Sequence, residues 1–257
     1  MVIAAACNSE TILAANLSRS PLLDHVPLQT EWGAGSAAHA YNRALDATSQ
    51  DIVVFAHQDV FLPRGWEKLL ARRIAEVAAI DPDWALIGAF GVGADGPHYG
   101  PVWSSSLGMI VGRVPLSPIP ALSYDELLIV LRRRSGLRFD TSLPGWHLYG
   151  TDIVTEARRQ GLGAWITALP CIHNDRYHGV LGQDYVDCYR AMQRKWAGQL
   201  PLRSPIIKIS RSGLHLWRDR WQAWRDTKDR LGMAIGTDTP VEQLAALCGW
   251  SDLTACS

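Results

Sequence analysis

The apolar run at residues 52–56 restricts the fold of this chain more than any other feature. The run reads Ile-Val-Val-Phe-Ala, without alternating polar side chains, and His57 and Asp59 follow it directly. Such a run is typical of a central strand in a parallel sheet that helices cover on both faces. The sequence therefore predicts a buried strand whose carboxyl end carries polar groups.

Segments with the periodicity of strands and helices alternate along most of the chain. This alternation predicts an α/β fold with a mostly parallel, Rossmann-like central sheet flanked by helices. We expect a main domain over residues 1–180 and a C-terminal helical extension, residues 181–257, that packs on it. The glycine-rich stretch 88–112 predicts loops. Predicted strands cover residues 2–7, 51–56, 84–90, 126–131 and 164–169, and predicted helices cover 10–17, 37–47, 63–79, 150–159, 184–198 and 214–231.

Composition argues against several classes of protein. The 257 residues carry 25 Lys and Arg against 25 Asp and Glu, so the chain lacks the basic excess typical of a nucleic-acid-binding protein. Five cysteines without paired spacing argue against a disulfide framework or structural zinc site and favour a reducing, cytoplasmic setting. Residues 2–7 are predicted to form a strand and not a signal peptide. No apolar run reaches the roughly 20 residues of a membrane span.

Four polar side chains lie at the predicted ends of strands or at the start of a helix. His57 and Asp59 follow one strand, His173 follows another, and Asp152 begins a helix after a glycine turn. Ligands of open α/β sheets bind beyond the carboxyl ends of the strands. We therefore expect these side chains to converge at one edge of the sheet.

The types of these residues suggest a metal and phosphate site. His57 and Asp59 are two residues apart and point to the same side of an extended segment. Carboxylate and imidazole ligands together suit Mn²⁺ or Mg²⁺ bound to a diphosphate. For His57, a buried histidine with satisfied hydrogen bonds is an equal alternative. Asp59 favours function, because a carboxylate directly after an apolar strand is costly without a partner. For Asp152, spacing alone favours an acid that stabilises the first helical turn over a general base.

Four segments together resemble a known family. They are Asn-Ser-Glu at 8–10, Ala-His-Ala-Tyr-Asn-Arg-Ala-Leu at 38–45, His-Gln-Asp-Val at 57–60 and Gly-Trp-His-Leu-Tyr-Gly-Thr-Asp-Ile at 145–153. With residues 124–126 and 173–174, they extend over roughly residues 2–175. In this order they resemble GT-A-fold glycosyltransferases of the family-2 type, in particular a bacterial branch with His-Gln-Asp where most members carry Asp-x-Asp. The resemblance implies that residues 1–180 form a GT-A catalytic domain.

The resemblance implies a role for each matching residue. Asp59 corresponds to the second metal-binding acid of Asp-x-Asp, and His57 replaces the first. His173 lies where relatives place a late histidine on the metal or diphosphate. Asp152 corresponds to the catalytic acid of a Glu-Asp motif in which Thr151 replaces the Glu. The remaining residues expected to bind the nucleoside, sugar, diphosphate or acceptor are Asn8, Glu10, Glu31, Asn42 and Asp125.

The implied function is sugar transfer from a nucleotide diphosphate, with a UDP-sugar favoured over a GDP-sugar, to a glycan, lipid-linked or other hydroxyl acceptor. Asp152 would take the acceptor proton in a single displacement with inversion. Asp59, His173 and a divalent metal would stabilise the leaving diphosphate. The implied setting is cell-surface polysaccharide biosynthesis in a bacterial cytoplasm. Two alternatives stay open: a metal-dependent phosphoester hydrolase or nucleotidyltransferase, and a catalytically silent nucleotide-sugar-binding relative.

Three tryptophans share one face of the predicted helix at 214–231. Trp217, Trp221 and Trp224 recur at i, i+4 and i+7. The favoured expectation is that this face packs on the main domain. The alternative is peripheral contact with the inner face of a membrane, because interfacial helices combine such an apolar face with Lys and Arg on the polar side.

Overall fold

The structure is a computed structural model that describes residues 1–176, 181–233 and 239–254. It confirms the predicted α/β class, because helices cover both faces of one large sheet. The domain boundary expected at residue 180 falls in the stretch 177–180, outside the described residues.

The described elements follow in chain order. The strands are β1 (Val2–Cys7), β2 (Leu28–Trp32), β3 (Ile52–Ala56), β4 (Val60–Phe61), β5 (Trp84–Gly88), β6 (Gly91–Gly93), β7 (His98–Tyr99), β8 (Val102–Ser104), β9 (Met109–Val111), β10 (Ile119–Tyr124), β11 (Leu128–Arg132), β12 (Gly163–Ile166), β13 (Cys171–His173), β14 (Leu202–Arg203) and β15 (Lys208–Ile209). The helices are α1 (Glu10–Ala15), α2 (Ala37–Ala47), α3 (Trp66–Ile80), α4 (Tyr149–Arg159), α5 (Gln183–Lys195), α6 (Leu214–Arg225), α7 (Thr227–Met233) and α8 (Val241–Leu247).

The central sheet has nine strands in the order β2-β1-β3-β11-β5-β12-β10-β6-β7. Strand β1 is parallel to β2 and β3, and β5 is parallel to β12. Strand β11 lies antiparallel between β3 and β5, and β10 lies antiparallel between β12 and β6. Six of the nine strands therefore share one direction, and β11, β10 and β7 are reversed. A second sheet of four short strands, β4-β13-β8-β9, lies beside it.

Strand β3 is buried on both faces, which explains its uninterrupted apolar sequence. Val53 and Phe55 belong to the core that contains α2, α4 and α5, whereas Val54 and Ala56 belong to the core that contains α3. Successive side chains of a strand point to opposite faces, so only an all-apolar sequence fits this position. The direction of β3 brings the segment that begins at His57 to the carboxyl end of the sheet.

Some elements differ from the expectation. The stretch 88–112 contains the short strands β6 to β9 instead of loops alone. Its glycines permit close backbone approach, since a Cβ atom on Gly91 would collide with the carbonyl oxygen of Ser123. The edge strand β2, strand β10 and helix α8 were not expected. The helix expected at 214–231 is interrupted after Arg225 and continues as α7.

The packing expected for the three tryptophans of α6 is not observed. Trp217, Trp221 and Trp224 are 71%, 49% and 66% exposed, and α6 has no buried residue. Helix α8 packs more closely. Its Val241 and Leu244 form a small core with Ile172 of β13. None of the helices in the described residues is long and apolar enough to cross a membrane.

Candidate functional site

His57, Asp59 and His173 form a cluster beyond the carboxyl end of β3. The first two lie in the turn between β3 and β4, and His173 ends β13, where it pairs with Val60 of β4. Each residue offers a ligand atom within 4.8 Å of the other two. Asp59 Oδ1 lies 3.4 Å from His173 Nε2. The structure therefore brings these three residues together, although His173 ends a strand of the second sheet instead of lying in a loop after the strand expected at 164–169.

The cluster fits a divalent cation. Asp59 Oδ1 is buried and makes no well-formed hydrogen bond with the described residues, since its charged partner His173 Nε2 lies 3.4 Å away. A buried carboxylate oxygen without a well-formed hydrogen bond is uncommon, because burial removes it from water and costs free energy. A cation bound by this oxygen and by the nitrogens of His57 and His173 would remove that cost. A mixed set of one carboxylate and two imidazoles suits Mn²⁺ better than Mg²⁺, which prefers oxygen ligands.

Burial and mutual charge give the three groups different pKa values. Burial raises the pKa of Asp59, but the nearby charge of His173 outweighs burial and holds that pKa below its usual value. Burial lowers the pKa of His173, but the Asp59 carboxylate raises it to about 9. Burial also lowers the pKa of His57, and Asp59 only partly opposes this effect. Without a metal, the groups favour an Asp59–His173 ion pair beside a neutral His57.

Tyr149 orients the imidazole of His57. The Tyr149 hydroxyl donates to the carbonyl oxygen of Glu126 at 3.2 Å and lies 3.0 Å from His57 Nε2. The hydroxyl has one proton, so when that proton is donated to Glu126, His57 Nε2–H donates to the Tyr149 oxygen. This tautomer leaves the Nδ1 lone pair of His57 available as a ligand. The role of Tyr149 was not expected, since it depends on a contact across 92 residues of sequence.

Gln58 connects the cluster to the loop after β1. Its Oε1 accepts hydrogen bonds from the backbone N–H groups of Asn8 and Ser9, each at 3.1 Å. Its Nε2 donates to Asn8 Oδ1 at 2.5 Å. The exposed Asn8 is thus held beside the His-Gln-Asp segment. No role was expected for Gln58, because an amide has no distinctive metal or acid–base chemistry.

Three consecutive serines, residues 104–106, hold the segment that follows His173. The hydroxyls of the first and third donate to the carboxylate of Asp175, and the second donates to Asn174 Oδ1 at 2.7 Å. Asp175 Oδ1 lies 4.0 Å from His173 Nδ1. The run of serines therefore stabilises the position of His173 through hydrogen bonds to the two residues that follow it. This role was not expected, because a serine run shows no chemistry until its partners are known.

Asp125 also lies near the cluster. Its charge raises the pKa of both His57 and His173. Its Oδ1 accepts a hydrogen bond from the N–H of Leu127 at 3.1 Å, whereas its Oδ2 has no such partner in the part of the chain that the structure describes. Burial and the Asp125 charge raise the pKa of the adjacent Glu126 to about 8.

Asp152 lies in a different environment from the one expected of a general base. Asp152 is only 3% exposed. Lys195 Nζ lies 2.8 Å from both of its oxygens, and Trp196 Nε1 donates to Oδ1 at 2.7 Å. Lys195 also pairs with Asp140 at 2.7 Å. This placement does not fit the expected role, because the bonded carboxylate is closed to an acceptor hydroxyl. Asp152 instead joins α4 to α5.

Three other residues that were expected to contact the ligand have side chains that bind elsewhere or are exposed to solvent. Asn42 donates to the carbonyl oxygen of Phe139 at 2.8 Å and accepts from its N–H at 3.1 Å, so its amide ties α2 to that segment. Glu31 pairs with Arg43 at 2.9 Å. Glu10 is exposed in the first turn of α1. The contacts of these side chains do not connect them to the cluster.

No family model matches the chain, and neither does any curated protein. Solved structures do show similarity. GalNAc-T7 with UDP, GalNAc and Mn²⁺ is 12% identical, with a TM-score of 0.49. The similarity covers 93% of this chain and 58% of GalNAc-T7, so this chain spans less than two thirds of that structure. The mannosyltransferase PcManGT from Pyrobaculum calidifontis with GDP-Man and Mn²⁺ is 14% identical, with a TM-score of 0.48 over 99% and 83% of the two chains. Glucosyl-3-phosphoglycerate synthase from Mycobacterium tuberculosis with Mn²⁺, UDP-Glc and phosphoglyceric acid is 16% identical, with a TM-score of 0.45 over 80% and 81%. Values this low do not assign the chain to a family or an activity.

Proposed function

We propose that this chain is a glycosyltransferase that uses a nucleotide-sugar donor and a divalent metal. The observation that carries the proposal is the convergence of His57, Asp59 and His173, with Asp59 Oδ1 buried and without a well-formed hydrogen bond. The cluster lies past the carboxyl end of a central strand, where α/β sheets bind their ligands. The sequence resemblance adds the transferase class, with a UDP-sugar favoured over a GDP-sugar as donor and a glycan, lipid-linked or other hydroxyl as acceptor.

The residues of the cluster have distinct parts in the proposed reaction. Asp59 is its one carboxylate and would be the main anionic ligand of Mn²⁺ or Mg²⁺, with His57 and His173 as nitrogen ligands. The bound ion supplies positive charge to the leaving diphosphate. Asn8, held by Gln58 beside this segment, is the proposed contact to the nucleoside. Attack by the acceptor opposite the leaving diphosphate would invert the anomeric centre.

We assign the general base to Asp125 instead of Asp152, because Asp125 lies near the cluster and has one carboxylate oxygen without a described partner. General bases typically contribute 10²- to 10⁴-fold to a rate. Asp125→Asn is therefore expected to lower kcat for sugar transfer about 100-fold or more while stabilisation by UDP and Mn²⁺ persists. Steady-state kinetics beside the exposed control Asp83→Asn test this. Near-normal transfer by Asp125→Asn would rule out the assignment.

A ligand screen followed by a transfer assay tests the function. We expect UDP or GDP with Mn²⁺ to raise the melting temperature more than either component alone, since each completes the site of the other. Nucleotide sugars that stabilise the chain are then tested for turnover with and without hydroxyl acceptors. Donor cleavage that never yields a glycosylated acceptor would indicate the hydrolase alternative. Binding without turnover across donors and acceptors would indicate the catalytically silent alternative.

We further propose that the α6 tryptophans contact an anionic membrane surface near a lipid-linked acceptor of cell-surface polysaccharide synthesis. Trp217, Trp221 and Trp224 are exposed on one side of a helix, and residues 214–231 contain five basic against three acidic residues. Indole rings on one face, flanked by basic groups such as Arg225, whose guanidinium lies over the Trp221 ring, are typical of helices that lie at a membrane interface.

Liposome sedimentation tests this contact. The wild-type chain is expected to sediment with vesicles that contain anionic lipid, and replacement of the three α6 tryptophans by Ser should reduce the bound fraction severalfold, because each loses a large interfacial side chain. The matched control replaces the exposed Trp32 and Trp146 by Ser and should retain binding. Failure of the wild-type chain to bind anionic vesicles would rule out the membrane contact and leave the proposed enzyme unaffected.

A further inference from the structure

A concave surface lies at the C-terminal end of α4, away from the metal cluster. It is a cavity of about 560 Å³ between the last turns of α4, strand β10 and the segment that contains β14 and β15. We call it the basic cavity, because four cationic side chains line it. They are Arg158, Arg159, Arg203 and Lys208. Its volume lies within the range of about 300–1,000 Å³ typical of sites for small molecules.

The positive charge of the basic cavity is largely uncompensated. Arg159 pairs with Glu156 through contacts of 2.9 and 2.6 Å. Arg158, Arg203 and Lys208 are exposed and form neither an ion pair nor a side-chain hydrogen bond with any residue in the described ranges. Three unpaired cations around one concavity repel one another, and this repulsion is relieved when an anion binds between them. No such concentration was apparent from a chain with zero net formal charge.

The lining of the cavity favours a phosphate group over a single carboxylate. Guanidinium groups donate paired N–H bonds that match phosphate oxygens, and Lys adds a further charge-assisted donor. Gln199 and Thr155 add polar side chains, and Leu122 and Leu202 provide apolar surface for the rest of a ligand.

The basic cavity is separate from the metal cluster. Tyr149, at the start of α4, contacts His57, whereas Arg158 is nine residues later. At 1.5 Å per residue, the two ends are about 14 Å apart along the helix axis. The basic cavity therefore lies at the opposite end of α4 from the residue that contacts His57.

We propose that the basic cavity is a binding site for a small phosphate-bearing molecule, distinct from the donor site. Calorimetric titration of metal-free protein with inorganic pyrophosphate tests it. The expected result is saturable binding of one pyrophosphate. Replacement of Arg158, Arg203 and Lys208 by Gln together should weaken that binding at least about tenfold, since each removes a charge-assisted contact. The single variant Lys208→Gln should weaken it by a smaller factor and provides the same test if the triple variant does not fold.

Two control variants test whether pyrophosphate binds specifically in the basic cavity. Replacement of the exposed Arg64, Lys68 and Arg190 by Gln changes the net charge equally outside the cavity and should leave the affinity unchanged. Asp59→Asn should also leave it unchanged, which separates this site from the metal cluster. The proposal is overturned if pyrophosphate does not bind saturably, if both triple variants weaken binding equally, or if Asp59→Asn changes the affinity as much as the cavity variant does. None of these outcomes depends on glycosyltransferase activity.

Discussion

Asp59→Asn is expected to abolish the joint stabilisation by UDP and Mn²⁺ and to lower sugar transfer at least about 100-fold. The amide keeps the size of the side chain but removes the one negative charge of the metal cluster, which we propose as the main ligand of the cation. Charge stabilisation by a metal contributes several kcal/mol to a transition state, and every 1.36 kcal/mol corresponds to tenfold in rate. Thermal shift with UDP, with and without Mn²⁺, measures binding, and an acceptor-dependent assay measures transfer.

The exposed acid Asp83, changed to Asn in the same way, is the matched control and should behave as wild type. Persistence of the Mn²⁺-dependent shift in Asp59→Asn would show that the cation is bound elsewhere. A second arm removes divalent ions from the wild-type chain. If transfer continues unchanged there, the metal assignment is wrong, and the protonated His173 would have to meet the diphosphate directly. The transferase proposal would survive that outcome.

Lys195→Met is expected to cause a large loss of stability. The side chain of Lys195 is 25% exposed and pairs with that of Asp152, which is 4% exposed. Loss of one partner from a buried pair leaves an uncompensated charge and costs about 3–5 kcal/mol. Because Lys195 is partly solvated, we expect a value near the lower end, about 3 kcal/mol. For a chain of this size, that corresponds to a fall in Tm of about 6–12 °C.

Thermal and urea unfolding measure the effect, with the exposed neighbour Arg194→Met as control. The double variant Lys195→Met with Asp152→Asn should recover part of the loss, because the charge left unpaired by the first change is removed by the second. If Lys195→Met unfolds like wild type while transfer falls sharply, the Lys195–Asp152 pair belongs to the chemistry, and the assignment of Asp152 to structure is wrong.

The sequence predicted secondary structure best where the local pattern of apolar residues matches the burial of the element. The run at 52–56 predicted a central strand because only a strand covered on both faces is apolar at every position, and β3 has this environment. Helix α2 was expected from its apolar spacing, and α3 and α4 were expected from the turn residues that precede them. In contrast, β2 and β10 lack such a pattern. The exposed edge strand β2 has no fully buried side chain, and β10 begins with Ile-Pro, so neither has the periodicity of a central strand.

The candidate site likewise contains residues that the sequence predicted and contacts that only the structure revealed. His57, Asp59, His173 and Asp152 were expected to meet, because their residue types and their positions at the ends of elements are visible in sequence. The first three do so, whereas the carboxylate of Asp152 pairs with Lys195. Their supporting contacts were not visible. Tyr149 and Gln58 contact their partners across 92 and 50 residues of sequence, and such pairings depend on how the elements pack.

Sequence by itself determined the α/β class, the central strand at 52–56 and the polar residues that could hold a metal, because these depend on local periodicity and side-chain chemistry. Only the tertiary structure decided which of these residues lie together. It left Asp59 Oδ1 buried without a well-formed hydrogen bond, paired Asp152 with Lys195, exposed the α6 tryptophans and gathered four basic residues around one cavity. The physical reason is that burial and charge compensation depend on neighbours brought from distant parts of the chain.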